Sequence, residues 1–310
     1  MSWFRRMAFF IGLNIVVVLT ISVIINVLGI HPYLSNAGMD YGSLMAFCLV
    51  WGMGGAFISL LLSKIIVKWT MGVKIIDPTT NDPDARFVLD TVYRLARTGG
   101  LTKMPEVGIY NSPEVNAFAT GPTKNRALVA VSSGLLRSMD HNSIEGVLGH
   151  ELTHVLNGDM VTMTLIQGVV NAFVMALARV IAFAIDNALR GDRDNRGGGL
   201  GRFGYMITVW VLEMVLFIPG SMVVAWFSRA REFRADQGGA RLAGREKMIG
   251  ALRALQRVSE LPLSQQVPEQ SQAVAALKIS SGGRTSTFGL LRASHPPLTE
   301  RIARLERSGF

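Results

Sequence analysis

The amino-acid sequence predicts an α-helical membrane protein that carries an α+β domain, organised around one catalytic-type helix and a small mixed sheet. Three observations predict it. Of 310 residues, 49% are hydrophobic and only 17% charged, against about 25% charged in ordinary soluble domains. Four long apolar stretches punctuate the chain. Between them, the segment from Lys64 to Asp159 has ordinary polar composition and mixes helical with alternating apolar spacing.

The first two stretches, Met7 to Ile30 and Leu44 to Ser63, contain no charged residue. Each is long enough for a hydrocarbon core of about 30 Å, which needs roughly 20 helical residues. Met7 to Ile30 lacks a small-x-small cleavage site and reads as a retained anchor, not a removable signal. The loop His31 to Ser43 has no Lys or Arg, whereas Arg5, Arg6, Lys64, Lys68 and Lys74 flank the apolar runs. The positive-inside rule therefore puts both basic flanks in the cytoplasm and the loop outside. It also accounts for the net charge of +9 without a nucleic-acid partner.

The third stretch, Met160 to Ile185, is interrupted by Arg179, and the fourth, Phe203 to Ser228, by Glu213. Ionisable residues are costly in lipid unless they pair or face a cavity. The connector Asp186 to Arg202 carries four arginines against three aspartates. Both a transmembrane pair and a re-entrant hairpin satisfy this pattern. The expected organisation has four parts: an anchor of two transmembrane helices (1–66), a cytoplasmic segment (67–159), the apolar pair (160–228) and a C-terminal segment (229–310).

Within the polar segments, Asp84 to Arg97 has helical spacing and stops at Gly99-Gly100. Glu106 to Tyr110, Val115 to Thr120 and Arg126 to Ser132 read as short strands. Asn142, with Glu145 three residues on, reads as a capping box opening a helix that Asn157-Gly158 ends. Arg229 to Gln256 is helical in pattern, Pro262 to Gly289 reads as a loop that gates a cleft, and a last helix follows Pro296-Pro297. Cys48, the lone cysteine, supplies no disulfide and reads as a packing residue. Gly52-Met53-Gly54-Gly55 could pack helices within or between chains.

The chemistry lies in His150-Glu151-Leu152-Thr153-His154. Histidines four apart share one helix face and can converge on one metal ion, with the intervening glutamate reaching a bound water. Catalytic zinc takes three protein ligands and an open position. The third ligand is expected to be Glu232, and Asp236, one turn on, would orient a ligand histidine through its second nitrogen. Glu151 is then the general base. The expected cofactor is one Zn2+ per chain, and the expected reaction is peptide-bond hydrolysis by a gluzincin-like zinc metallopeptidase. Because His154 and Glu232 must meet in one compartment, the chain between them crosses the membrane twice or not at all. His31 and His141 read as structural.

In this order, the two N-terminal spans, the histidine motif, the apolar hairpin and the Glu232 to Asp236 motif resemble the HtpX family of bacterial heat-shock membrane metallopeptidases, relatives of the Ste-type prenyl-protein peptidases. The resemblance covers nearly the whole chain. It implies that Asn116, in Val115-Asn116-Ala117-Phe118-Ala119, holds an extended substrate on an edge strand. It also implies that His295 and Arg301 stabilise the oxyanion. It further implies a multi-pass protein of the bacterial inner membrane, with its active site facing the cytoplasm. Substrates would be misfolded or surplus membrane proteins, in a quality-control and stress response linked to other membrane quality-control proteases.

Three other readings stand beside it. A narrower processing peptidase would use the same residues on one motif. A non-enzymatic scaffold would normally close its metal with four protein ligands. A zinc transporter would need ionisable residues within its spans, where only Arg179 and Glu213 qualify.

Overall fold

The computed structural model describes residues 41–190, 199–260 and 295–308. The span Met7 to Ile30 and the loop Pro262 to Gly289 lie outside them, as do most of the His31 loop and the middle of the Asp186 to Arg202 connector. Along the chain run α1 (Tyr41–Thr70), β1 (Lys74–Ile75), α2 (Pro83–Thr98), β2 (Glu106–Tyr110), β3 (Ala117–Thr120), β4 (Leu128–Ser132) and α3 (Ser133–Ser138). There follow α4 (His141–Asn157), α5 (Asp159–Arg190), α6 (Gly201–Ala243), α7 (Arg245–Glu260) and α8 (Leu298–Arg307). They form two compact units, each drawn from two stretches: 1–59 with 162–224, and 60–161 with 225–310.

The first unit is helical. Gly42–Thr70, Asp159–Leu189 and Gly201–Ala243 are each long and apolar enough to cross a membrane. All three helices outrun the apolar stretches expected from sequence. Lys and Arg propagate a helix about as well as Leu does, so a change of polarity does not end it. Gly52 lets α1 and α5 touch backbone to backbone, because a Cβ there would lie 2.6 Å from the Ala172 nitrogen. Gly54 and Gly55 have no such neighbour among the described residues, whereas Met53 packs against Gly168 of α5. Arg179 and Glu213 neutralise each other across α5 and α6 at 2.8 Å, and Arg179 also donates to the Met175 carbonyl. Cys48 is fully buried, as a packing residue should be. Trp51, Phe203 and Trp210 face outwards, which suits hydrocarbon.

The second unit is α+β. Its four-stranded sheet has the order β1-β2-β4-β3. β2 and β4 are parallel, whereas β1 and β3 pair antiparallel to their neighbours. The two-residue β1 was not expected. β3 and β4 start two residues later than the sequence suggested. At β3 the reason is local: the Asn116 N–H bonds the Ser132 side chain, 3.2 Å away, instead of a strand carbonyl. At β4, Arg126 is taken up in a short 3-10 turn, Lys124–Arg126.

The helix α4 is capped differently from expectation. Asp140, not Asn142, is the N-cap, its carboxylate accepting from the Ser143 N–H at 2.9 Å. A carboxylate also complements the positive helix end, which a neutral amide does not. Glu145 does not close a capping box; it pairs with Arg94 at 3.0 Å and Lys247 at 2.9 Å. The helix ends as read, at Gly158, with φ 64° and ψ 39°. Leu148, Leu152 and Val155 bury one face of α4 in the core formed with Val88, Val92 and Leu95 of α2 and Val129 and Val131 of β4. His141 stacks on Phe87, ring centroids 4.0 Å apart, a structural role.

On its other face α4 meets α6 through glycines. A Cβ on Gly239 would sit 3.0 Å from the His150 nitrogen, and one on Gly149 3.2 Å from the Gly239 carbonyl oxygen. Gly239→Val should therefore force α4 and α6 apart. Filling that contact opposes a helix-propensity gain of about 0.3 kcal/mol with an overpacking cost of about 1–3 kcal/mol. The expected outcome is a lower thermal melting midpoint in detergent; an unchanged or raised midpoint would show that the two helices can yield.

Candidate active site

The site grows out of that glycine contact. With α4 and α6 this close, side chains from the two helices converge. His150 and His154, one turn apart on α4, point their Nε2 atoms at one place, 3.1 Å from each other. From α6, Glu232 inserts between them, its carboxylate oxygens 3.4 Å from each Nε2. Ligand atoms of His150, His154 and Glu232 all lie within 4.8 Å of one another, so the three can hold a single metal ion.

Each imidazole is fixed from behind. The Nδ1 of His150 lies 3.0 Å from Asp236. The Nδ1 of His154 lies 2.7 Å from Asp159. A carboxylate at Nδ1 holds the proton there and leaves Nε2 with its lone pair for a metal. Both carboxylates are buried, as are both histidines. The donor set of two neutral imidazoles and one carboxylate, with no fourth protein ligand among the described residues, suits a divalent borderline metal with an open position.

Asp159 was missed by sequence reasoning. Its signal is the Asn157-Gly158 break: the left-handed Gly158 turns the chain back, so that a residue five places after His154 meets that histidine's outer nitrogen. Asp236 sits where the sequence put it, beside a ligand histidine.

Arg301 comes from α8 and is almost fully buried. It forks onto Asp236, with Nε and Nη2 donating at 2.8 and 2.6 Å, and its Nη1 lies 3.8 Å from Glu232. Burial disfavours its charge, yet Asp236, then Glu232 and Glu151, hold it firmly protonated. His295, just before α8, donates from Nδ1 to Glu232 at 2.9 Å, with 47% of its side chain exposed. Glu151 is half-buried on α4, and its carboxylate is near enough to Arg301 to favour that residue's charge.

Glu232 is completely buried, and a buried carboxylate needs several partners. Besides the three histidines it has Arg231, 3.2 Å away. Around His150, burial disfavours the charged form, but Asp236 and Glu232 overcome it and raise the pKa to about 9.

Asn116 lies at the head of β3, an edge strand that packs against α4. The Ser132 N–H donates to the Asn116 carbonyl. The alternation of an antiparallel pair then leaves the N–H and C=O groups of Ala117 and Ala119 directed away from β4. All eight sequence-selected residues thus belong to one compact unit.

Known proteins share the sequence and the fold of this chain. The model of Peptidase family M48 matches residues 84–308. The chain is 48% identical over 305 residues to Protease HtpX of Chromohalobacter salexigens, covering 98% of this chain and 99% of that one. It is 50% identical over 308 residues to the Protease HtpX homolog of Albidiferax ferrireducens, with coverage of 98% and 99%. Among solved structures, the chain resembles Ste24p of S. mikatae with a TM-score of 0.58 at 15% identity, covering 96% of this chain and 67% of that one; the likeness is one of fold.

Two outcomes are expected at this site. Asp159→Ala should weaken metal binding about 10–100-fold, read by competition with a chromophoric chelator; unchanged affinity would remove Asp159 from the centre. In the metal-free protein, an entering ion must displace the His150 proton at any pH below about 9. Affinity should then fall about tenfold per pH unit below that value, with one proton released per ion at neutral pH. The same proton stabilises the metal-free fold fully below the unfolded value of about 6.5, and that stabilisation disappears as pH rises through about 9.

Proposed function

This chain belongs to peptidase family M48, among the HtpX proteases, and on that footing we propose that it is a zinc-dependent endopeptidase of misfolded or surplus membrane proteins. Family membership makes it a metalloprotease, and its three apolar helices make it an integral membrane protein. In this reading, residues 1–66 and 160–228 hold it in the bacterial inner membrane, and 67–159 with 229–310 build a centre that faces the cytoplasm.

The observation that carries the proposal is the convergence of His150, His154 and Glu232, with both imidazoles braced by carboxylates. These three residues would hold the zinc, whose contribution is a Lewis acid that acidifies water and polarises a carbonyl. A peptide lies along β3 as an added strand, bonded to the free backbone groups of Ala117 and Ala119 and to the Asn116 side chain. Glu151 accepts the proton of the attacking water at its carboxylate and delivers it to the leaving amine nitrogen. Arg301 supplies positive charge, and His295 and Arg301 both supply N–H groups, to the developing oxyanion. Because Arg301 spends two donors on Asp236, its remaining Nη1 is the group that serves this role, and His295, the more exposed, approaches the substrate.

Strand addition reads backbone rather than side chains, which suits unfolded clients of varied sequence. This supports a quality-control and stress role over a single-motif processing role; a functional link to other membrane quality-control proteases belongs to the same reading.

Full-length protein, purified in detergent with chelator and then given zinc and an unfolded protein, should cleave it. Glu151→Gln should lose about 10²–10⁴-fold in kcat while binding the same amount of zinc. Equal cleavage by parent and variant would sink the role of Glu151. No cleavage by either, with metal bound and across several unfolded substrates, would favour the scaffold or single-motif readings.

A further inference from the structure

The helix α6 has 43 residues and is about 65 Å long at about 1.5 Å per residue. A hydrocarbon core is only about 30 Å thick, so α6 must project from it. Its apolar stretch ends at Ser228, and Arg229 and Arg234 follow at once. At this change of polarity a groove of about 550 Å³ opens between α6 and α8. Trp226, Arg229, Phe233 and Arg234 line it from α6, and Glu300 and Arg304 from α8. Trp226 is 59% exposed, and tryptophan is the residue type that settles where hydrocarbon meets water.

The charges in the groove do not balance. Three guanidinium groups meet one carboxylate among its lining residues. That carboxylate, Glu300, pairs with Arg304 at 3.0 Å, an exposed pair that solvent weakens. Arg304 also lies over the Phe233 ring, 3.6 Å from its centroid, which holds it against α6. The Arg234 side chain is exposed and has no ion pair among the described residues. A planar guanidinium matches phosphate oxygens in a two-pronged fork. Excess arginine beside an exposed tryptophan, at the end of an apolar stretch, suits an anion with an apolar body. An acidic peptide would answer the charge but would make no use of that position.

The groove also borders the helix that completes the active site. Arg301, three residues before Arg304, forks onto Asp236, and His295 reaches Glu232 from just before α8. We propose that the groove holds the phosphate of an anionic phospholipid between Arg234 of α6 and Arg304 of α8, and that this lipid fastens α8 and so keeps Arg301 and His295 at the metal centre. Membrane composition then sets the activity. The effect on cleavage rests on the roles proposed above for His295 and Arg301; the lipid site does not.

Binding is therefore read apart from cleavage. Full-length, zinc-loaded protein in detergent is titrated with phosphatidylglycerol or with phosphatidylcholine and followed by native mass spectrometry. The parent should retain phosphatidylglycerol in preference to phosphatidylcholine. Arg234→Gln should weaken that binding about fivefold, roughly the contribution of one arginine at an anionic surface. Arg97→Gln, at an exposed arginine of α2, should leave it unchanged. The melting midpoint of Arg234→Gln should equal the parent's, because the side chain is exposed. Cleavage of an uncharged fluorogenic peptide is then followed in phosphatidylcholine bilayers. Added phosphatidylglycerol should raise kcat several-fold for the parent and for Arg97→Gln, and much less for Arg234→Gln. Equal binding of the two lipids, or equal binding by parent and Arg234→Gln, would overturn the site. Equal stimulation by inorganic phosphate would make it a free-anion site and overturn the lipid. An acidic peptide that binds the parent but not Arg234→Gln, while the lipid binds both alike, would assign the groove to the client. Binding as expected with an unaltered kcat would overturn the link through α8. No cleavage in any bilayer would count against the peptidase reading, and the binding comparison would still decide the lipid site.

Discussion

A carboxylate with no solvent exposure, Glu232, is the constraint around which the polar unit is built. Removing such a charge from water costs several kcal/mol after relaxation, so its surroundings must answer it from every side. Three histidines and two arginines do so, contributed by α4, by α6 itself, and by α8 with the residue just before it. Two further carboxylates, Asp236 and Asp159, then steady the histidines from outside. The layers alternate in sign: carboxylate, imidazole, carboxylate, guanidinium. In the metal-free protein the His150 proton supplies part of the positive charge that Glu232 and Asp236 require, and a divalent ion held there would take over that role.

Much of this was legible in the sequence because it depends on local periodicity. Histidines four apart on a helix must share a face, and Glu232 with Asp236 repeats that spacing on a second helix. The apolar stretches announced themselves by composition. What the sequence concealed depends on close approach and on choice between equivalent groups. Nothing local distinguishes Asp140 from Asn142 as a cap, since both residue types serve. Asp159 escaped because its role requires the left-handed turn at Gly158 to bring it back on His154. Arg301 was legible only through family resemblance, and its fork onto Asp236 spans 65 residues. The glycines of α4 and α6 carry no charge or polarity to mark them, yet Gly239 decides how near His150 can come to Glu232.

The sheet contributes differently. Its core strand β4 is buried along its whole length, whereas β3 is half-buried throughout and, among the described residues, has no strand on its outer edge. An exposed strand edge is usually a liability, open to pairing with any extended chain. Under the proposed quality-control role, that same indifference to side chains is useful, because a damaged client offers no fixed sequence to recognise. On the proposed reading, the chemistry sits on a helix and selection rests on which chains are extended enough to pair.

Each compact unit is assembled from two distant stretches of chain. His150 and Glu232 are separated by α5 and most of α6, and Arg301 lies in the last helix, 151 residues beyond His150. Until α8 emerges, Asp236 lacks its arginine and Glu232 lacks two of its partners. The full set of partners around Glu232 and Asp236 therefore assembles only once Arg301 has been made, in whatever order the other elements pack.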